Sequence, residues 1–228
     1  MNEAVKLSTQ RGDNLISGIR DFNFFQAKKS KQLSMVIKNR RSIRKYSPKA
    51  VDREQIEAII EAAVLAPSAK NRQPWKYIVY TGESKARLLD VMEGALKKEN
   101  ERHELLPRSA FGLPDAFHTV KVMREAAVVI VVMNTNGKSP FESIDADLRF
   151  AEISDSLAIG ASIENMLLKA TELGLGTLWI ANTCFAYEDM MRFIASPGQL
   201  IGAVAVGYAN ESPNPRPRKD MKEVLEYR

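Results

Sequence analysis

The sequence has little of the two side chains on which most metal sites and many nucleophilic sites depend. Among its 228 residues are one cysteine, Cys184, and two histidines, His103 and His118. A lone thiol excludes an internal disulfide and a cysteine-based zinc cluster. With so few imidazoles, carboxylates would have to supply most ligands of a metal site, and no His-x-x-x-His spacing occurs. We therefore expect no metal centre.

Familiar catalytic motifs are also missing. The sequence has no Gly-x-Ser-x-Gly elbow and no Walker loop. Gly174 and Gly176 precede a predicted strand, whereas a dinucleotide-binding loop follows a strand and carries a third glycine. Cys184 with His118 as its base can be drawn as a nucleophile, but a lone cysteine after a buried strand is more often a small packed residue. Because the side chains offer no evident catalytic set, any chemistry points to an organic cofactor.

Long apolar runs and a strong excess of one charge are absent as well. No apolar run is long enough to cross a membrane, and charged residues interrupt the first thirty positions, where a secretory signal needs an apolar core. The 33 Lys and Arg against 28 Asp and Glu give a formal net charge of +5, with acidic residues spread along the chain. Such a balance does not demand a nucleic-acid partner. We expect a soluble cytoplasmic protein with no membrane and no nucleic-acid partner.

Helical and strand patterns alternate along the chain without repeats, which predicts an α/β or α+β domain. Residues 1–30 are predicted to form an arm, and residues 31–228 one domain with a C-terminal arm. The stretch 99–117 lacks periodicity, which is typical of a binding loop or lid. Small residues are frequent in the longest helical pattern, 145–173, which favours a central position or a subunit interface. Further helices are predicted at 31–40, 52–64, 83–98 and 187–194, and strands at 75–80, 126–133, 177–181 and 200–208.

Two clusters of basic residues stand nearly a chain length apart, Asn39–Tyr46 and the proline-stiffened Pro215–Lys219. Guanidinium groups present paired donors in a fixed fork, and a hydroxyl adds a neutral donor, so such residues suit a phosphate. Two solvated surface patches are the plainer alternative. The hypothesis is that both clusters close over one phosphate, with donors from Arg40, Arg41, Ser42, Arg44, Arg216 and Arg218.

Beyond these clusters, further blocks recur in a recognisable order. They are Arg40–Tyr46, Ala66–Ala69 with Asn71, Gln73, Pro74 and Trp75, His118–Met123, Ala161–Leu168 with Glu172–Ile180, and Val206–Tyr208 followed by Pro215–Lys219. Together they resemble the nitroreductase family of FMN-dependent oxidoreductases, over roughly residues 33–222. The resemblance favours a shared phosphate site over two idle patches.

The resemblance implies an α+β fold and a particular assembly. The expected fold is a nitroreductase-like sandwich in which helices flank a central, mostly antiparallel sheet. The expected assembly is an intertwined homodimer with two FMN sites, each shared between the subunits. FMN is thus the expected cofactor, with NADH or NADPH as the electron donor.

The same resemblance assigns residues to the flavin. Arg40, Ser42, Arg216 and Arg218 would hold the phosphate, and Arg41 and Arg44 would follow the ribityl chain and the pyrimidine edge. The other subunit would supply Pro67, Ser68, Ala69 and Asn71. The backbone of Trp179, Ile180 and Ala181 would pass the ring near N5, and Lys121 would approach the pyrimidine edge. His118 stands where many members carry asparagine.

The implied activity is hydride transfer from NAD(P)H through flavin N5 to nitroaromatic, quinone or related acceptors by a ping-pong mechanism, with no catalytic side chain required. Other family chemistries, namely ene reduction, reductive dehalogenation and flavin breakdown, stay open, as does a non-catalytic flavin-binding or sensing role. From the residues alone, Trp75 and Trp179 read more readily as core than as stacking platforms. Lys121 reads equally well as a surface lysine.

Overall fold

The computed structural model describes residues 33–228, and it divides the chain into two units, residues 1–40 and 41–228. The predicted arm, residues 1–30, lies outside the described residues. In the first unit, residues 33–39 are helical (α1), as the sequence predicts for 31–40.

The second unit is organised around a four-stranded antiparallel sheet in the order β1-β2-β4-β3. Its strands are β1 (Trp75–Thr81), β2 (Val128–Asn134), β3 (Gly176–Ile180) and β4 (Gln199–Gly207). Every residue of β2 is buried, as is typical of a strand covered on both faces. All four strands were predicted within two residues, and their antiparallel pairing confirms the predicted α+β class.

Helices cover both faces of the sheet. They are α2 (Arg53–Val64), α3 (Gly82–Arg102), α4 (Leu113–Glu125), α5 (Ala146–Glu172) and α6 (Tyr187–Ile194). A short further helix, α7 (Met221–Val224), is exposed along its whole length. Side chains along a strand alternate between its faces. Accordingly Val129 and Val131 of β2 pack with α3, α4 and α6, whereas Ile130 and Val132 pack with α2 and α5. The helix α2 begins at the predicted capping box, which pairs Asp52 with Gln55.

The predicted long loop at 99–117 is wrong. The helix α3 continues to Arg102 and ends at His103, whose φ of 53° closes it in the left-handed conformation. A 3-10 turn then spans Pro107–Gly112, and α4 starts immediately after it. The prolines and glycine that obscured the helical period lie at element starts and joins, where proline is well tolerated. Among residues 33–228, no helix combines the length and the apolar character that membrane crossing requires.

Candidate active site

Residues 42–47, which we call the basic strip, run extended along one end of the sheet. The N–H of Ile43 donates to the carbonyl of Thr177 in β3 at 2.9 Å, and the N–H of Ser47 donates to the carbonyl of Tyr208 just past β4, also at 2.9 Å. Ser42 forms an isolated bridge with Thr177. These bonds therefore fix most of the predicted phosphate cluster, residues 42–46, against the ends of β3 and β4.

Two glycines allow this close approach. A Cβ on Gly176 would lie 2.8 Å from Cγ1 of Ile43, and a Cβ on Gly207 would lie 2.8 Å from Cδ1 of Tyr46. Ile43 and Tyr46 are buried, and the hydroxyl of Tyr46 donates to the carbonyl of Ile43 at 3.0 Å. Burial raises the pKa of Tyr46 well above its usual range, so this hydroxyl keeps its proton. These two side chains anchor the strip, while its polar side chains face outward.

The segment after β4 is tied to the same strip. The carboxylate of Glu211 accepts hydrogen bonds from the backbone N–H groups of Arg44 and Lys45, and the N–H of Asn210 donates to the carbonyl of Lys45. Glu211 lies shortly before the second basic cluster in the chain. The strip is thus bonded to residues 210 and 211, which precede the second cluster by a few positions.

The arginines of the second cluster are exposed in the single chain. The guanidinium of Arg218 donates to the carbonyls of Arg216 and Pro217. Arg41 is half buried immediately before the strip, and Arg40 belongs to the first unit. A joint phosphate site of Arg40, Ser42, Arg216 and Arg218 stays a prediction.

Next to the strip lies a cavity of about 230 Å³. It brings together Arg44 and three of the predicted ring contacts, Trp179, Ile180 and Ala181. His118 on α4 lines it as well. Trp179 is 46% exposed, so its assignment to the core is wrong, whereas Trp75 is buried as predicted. An exposed indole and a guanidinium at one cavity suit a flat, polar-edged ligand.

A hydrogen-bonded group at this cavity was missed by the sequence reasoning. The amide of Asn182 donates to the carboxylate of Asp115 at 3.2 Å and to the hydroxyl of Thr119 at 2.9 Å. Thr119 in turn donates to the backbone carbonyl of Asp115. The amide oxygen of Asn182 is buried without a hydrogen-bond partner. The one available signal was the four-residue spacing of Asp115 and Thr119, which places them on one helix face.

The other predicted contacts lie on a loop that we call the left-handed loop, residues 67–73. Lys70, Asn71 and Gln73 all have positive φ, between 49° and 54°. Each such residue costs roughly 1–2 kcal/mol unless it is glycine, with asparagine tolerated best. The N–H of Gln73 donates to the hydroxyl of Ser68 at 3.0 Å, and the N–H of Asn71 donates to its carbonyl. Pro67, Ala69 and Asn71 are exposed.

The structure does not bring all the predicted residues together. Within the described residues, neither the left-handed loop nor Lys121 contributes to the lining of the cavity beside Arg44. Lys121 is exposed on α4. The cavity volume is below the roughly 300–1,000 Å³ of ordinary ligand pockets. One chain therefore brings only some of the predicted residues to this cavity.

Cys184 does not join this site as a nucleophile. Burial raises the pKa of its thiol, which keeps it protonated and unreactive. Its half-buried side chain packs against the core between the sheet and α3. This agrees with the interpretation of Cys184 as a small packed residue.

The chain is an α+β protein whose antiparallel sheet lies between helices and whose cavity beside Arg44 suits a small polar molecule. The sequence model of the Nitroreductase family matches residues 37–208. A protein of Archaeoglobus fulgidus provisionally named NADH dehydrogenase/NAD(P)H nitroreductase is 31% identical over 197 residues, which cover 83% of this chain and 88% of that protein. The chain belongs to the nitroreductase family.

Solved structures agree with this assignment. A nitroreductase-like family protein from Bacillus cereus is 25% identical, with a TM-score of 0.65 over 86% of this chain and 95% of that one. A provisionally named nitroreductase from Desulfovibrio desulfuricans, solved in complex with FMN, is also 25% identical. Its TM-score is 0.64, over 86% of this chain and 96% of that one.

Proposed function

We propose that this protein is an FMN-dependent oxidoreductase that takes electrons from NAD(P)H and passes them to nitroaromatic, quinone or related acceptors. The observation that carries the proposal is the basic strip, held by Ile43 and Tyr46 beside a cavity lined by Arg44 and Trp179. Family membership and the FMN complex of the Desulfovibrio desulfuricans relative support the choice of cofactor.

The residues at the cavity fit a flavin. The cavity offers one exposed aromatic face at Trp179, the backbone of Ile180 and Ala181, and the cationic donors of Arg44. The exposed basic side chains of Arg216 and Arg218, later in the chain, suit a dianionic phosphate. Bound FMN would supply two-electron hydride chemistry. Arg44 would stabilise negative charge at the pyrimidine edge.

An acid–base side chain is not needed for the first half of such a reaction, which fits the scarcity of histidine. His118 nevertheless lines the cavity, and it is exposed to solvent on α4. It could exchange a proton with a bound acceptor without entering the buried core. The backbone at Ile180 can donate or accept hydrogen bonds without changing charge, so it serves any redox state of a ligand.

We infer that the second half of each site comes from another copy of the chain. The longest helix, α5, is apolar on two sides: its inner side packs on the sheet, and its outer side exposes Phe150 (75%), Ile153 (50%) and Leu157 (72%). These three are spaced by three and four residues and form one stripe. A contiguous exposed apolar stripe on a central helix indicates a protein interface.

A second apolar surface supports an intertwined form of this dimer. A cavity of about 840 Å³ lies between α2 and β1, lined by Ile56, Ile60 and Val79 among others. Among residues 33–228, the outer edge of β1 pairs with no strand. The C-terminal segment exposes Met221 and Val224 at 67% and 64%. An exchanged C-terminal segment would cover both the open edge and these side chains.

The dimer is tested by Leu157→Glu, which places a charge in the apolar stripe. We expect sedimentation equilibrium to show a dimer for the wild type and a shift toward monomer for the variant, with loss of flavin. Glu101→Gln on the exposed side of α3, which packs on the opposite face of the sheet from α5, serves as a control for an unrelated surface change. A flavin-loaded monomer would contradict the shared site.

The activity is tested by the absorbance spectrum of the purified protein, followed by anaerobic titration with NADH and NADPH. We expect a flavin spectrum that bleaches with one of the two donors and recovers when nitroaromatics or quinones are added. A flavin spectrum that neither donor bleaches would instead identify a flavin-binding or sensing protein. Absence of any FMN affinity would reject the proposal.

A further inference from the structure

A buried carboxylate lies in the middle of α5, directly beneath the left-handed loop. Asp155 is only 3% exposed. One of its oxygens, Oδ1, accepts a hydrogen bond from Nη2 of Arg72 at 2.6 Å. The other, Oδ2, accepts one from the amide of Asn136 at 3.2 Å. Asp155 thus connects the left-handed loop before β1, the loop after β2 and the central helix.

The arginine in this pair sits within the strained part of the loop. Arg72 is flanked by Asn71 and Gln73, and Lys70 completes the set of residues with positive φ. Without contacts to hold it, this segment would leave the left-handed region, because only glycine occupies that region without steric cost. A tether at Arg72 opposes that relaxation at the centre of the strained segment.

The end of the loop is fixed separately. Both the N–H and the hydroxyl of Thr135 donate to the carbonyl of Pro74, at 2.7 and 3.2 Å. Thr135 and Asn136 are adjacent, so the loop after β2 holds Pro74 and Asp155 together. The left-handed loop is therefore fixed just past its end, at Pro74, by two hydrogen bonds from Thr135, and at Arg72 by one ion pair.

The ion pair of Arg72 and Asp155 is not well explained by a contribution to folding stability. Burying a carboxylate is costly, and well-packed apolar side chains usually stabilise such a position as well or better. An apolar residue at position 155 could not form an ion pair with Arg72, and so could not fix the backbone on either side of Arg72. The arrangement is that of a positioning device.

We infer that Asp155 and Arg72 form a latch that holds the left-handed loop in its flavin-binding conformation, and so sets the affinity for FMN. The inference rests on the proposed function, in which exposed Pro67, Ala69 and Asn71 meet the flavin of the other subunit. Without the latch the loop relaxes, and only a fraction of molecules is competent to bind. The apparent dissociation constant rises in inverse proportion to that fraction.

The test compares Asp155→Asn, Arg72→Gln and the double variant with the wild type. FMN-loaded proteins are diluted, and the released flavin is followed by its fluorescence. We expect each single variant to raise the dissociation constant about tenfold or more, as a competent fraction of one tenth requires. The double variant should be no worse than the single ones, because the two residues act as one unit.

Thermal unfolding separates a positioning role from a structural one. Arg72→Gln leaves a buried carboxylate that keeps the hydrogen bond from Asn136 but has lost its cationic partner, so it should lower the melting temperature. Adding Asp155→Asn should restore much of that loss. FMN affinity should stay weak in the double variant. Amide hydrogen exchange should accelerate at residues 69–73 and remain unchanged in the sheet. If Asp155→Asn does not fold, Arg72→Gln and the double variant carry the test.

The exposed ion pair of Glu83 and Arg87 in α3, at 3.3 Å, provides a matched control. Glu83→Gln with Arg87→Gln should leave FMN affinity unchanged. If the wild type binds FMN and the latch variants bind it equally well, or if affinity recovers together with stability in the double variant, the latch is wrong and the proposed function stands. If the wild type binds no FMN, the proposed function fails and the latch with it.

Discussion

The basic strip and the left-handed loop carry the two halves of the proposed site, and they are built in opposite ways. The strip is regular extended backbone, bonded to the ends of β3 and β4 and anchored by Ile43 and Tyr46. The loop places Lys70, Asn71 and Gln73 in the left-handed region and depends on side-chain contacts to stay there.

The difference shows how one site can combine a fixed half with an adjustable half. Extended backbone at a sheet end is held by several bonds at once, so no single side chain decides its conformation. A strained loop persists only while its surroundings over-determine it. Substitutions in the strip should therefore act through bound charge or through packing, and substitutions around the loop through pre-organisation.

We expect the largest effect from removing positive charge on the side of the site that the strip forms. Arg216→Ala with Arg218→Ala should lower FMN affinity by roughly two to four orders of magnitude, since hydrogen bonds between charged groups contribute about 1.5–3 kcal/mol each. The flavin content of the purified protein and the dissociation constant provide the measurement. Arg87→Ala with Lys97→Ala removes the same charge from the exposed side of α3 as a control. Equal flavin content in both variants would refute the phosphate role.

A smaller effect tests the packing under the strip. Gly176→Ala places a methyl group 2.8 Å from Cγ1 of Ile43, and overpacking of this kind costs about 1–3 kcal/mol of unfolding free energy. Combining it with Ile43→Ala should cost less than the sum of the two changes. Gly94→Ala in α3 meets no atom within 4 Å and should instead stabilise the protein by about 0.5–1 kcal/mol. Denaturant unfolding measures the two single variants, their combination and the Gly94→Ala control. Strictly additive changes in unfolding free energy for Gly176→Ala and Ile43→Ala would contradict the close approach of these two residues.

The smallest effect compares the two backbones directly. Lys70→Gly removes the steric cost of a left-handed lysine, but glycine also makes the unfolded chain more flexible and so raises the entropy cost of folding. The net result should be a stabilisation of about 0.5 kcal/mol. Lys45→Gly in the extended strip should destabilise it by about 0.5–1 kcal/mol. Both lysines are exposed, so the contrast isolates backbone conformation. If the two substitutions changed the unfolding free energy in the same direction, the proposed difference between the two backbones would be wrong.

The sequence allowed more of the strip to be predicted than of the loop. Apolar runs and helical periods located all four strands and the capping box at Asp52, because these are local patterns. The resemblance pointed to the strip and to residues 179–181, and the structure places Arg44 and these residues at one cavity. The phosphate contacts and the partner's contribution are still predictions.

What escaped prediction depends on contacts between distant positions. Arg72 and Asp155 are 83 residues apart, and Asn182 is 63 residues from Thr119. No local period reveals such a pair, since a buried aspartate in a helix looks like a solvated one until its partner is known. The start of α4 was missed for another reason: Gly112 and Pro114 mark the join between a 3-10 turn and a helix, and not a long loop.

The central claim is that each flavin lies between the basic strip of one subunit and the left-handed loop of another, and mixed dimers test it most directly. One chain carries Arg216→Ala and Arg218→Ala, and the other carries Ser68→Ala and Asn71→Ala, so that each homodimer loses FMN. A mixed dimer would contain one doubly altered site and one site with both halves intact. The account predicts that the mixed dimer recovers close to one FMN per dimer. A mixed dimer without recovered flavin would show that both halves act within one chain, and would contradict the account.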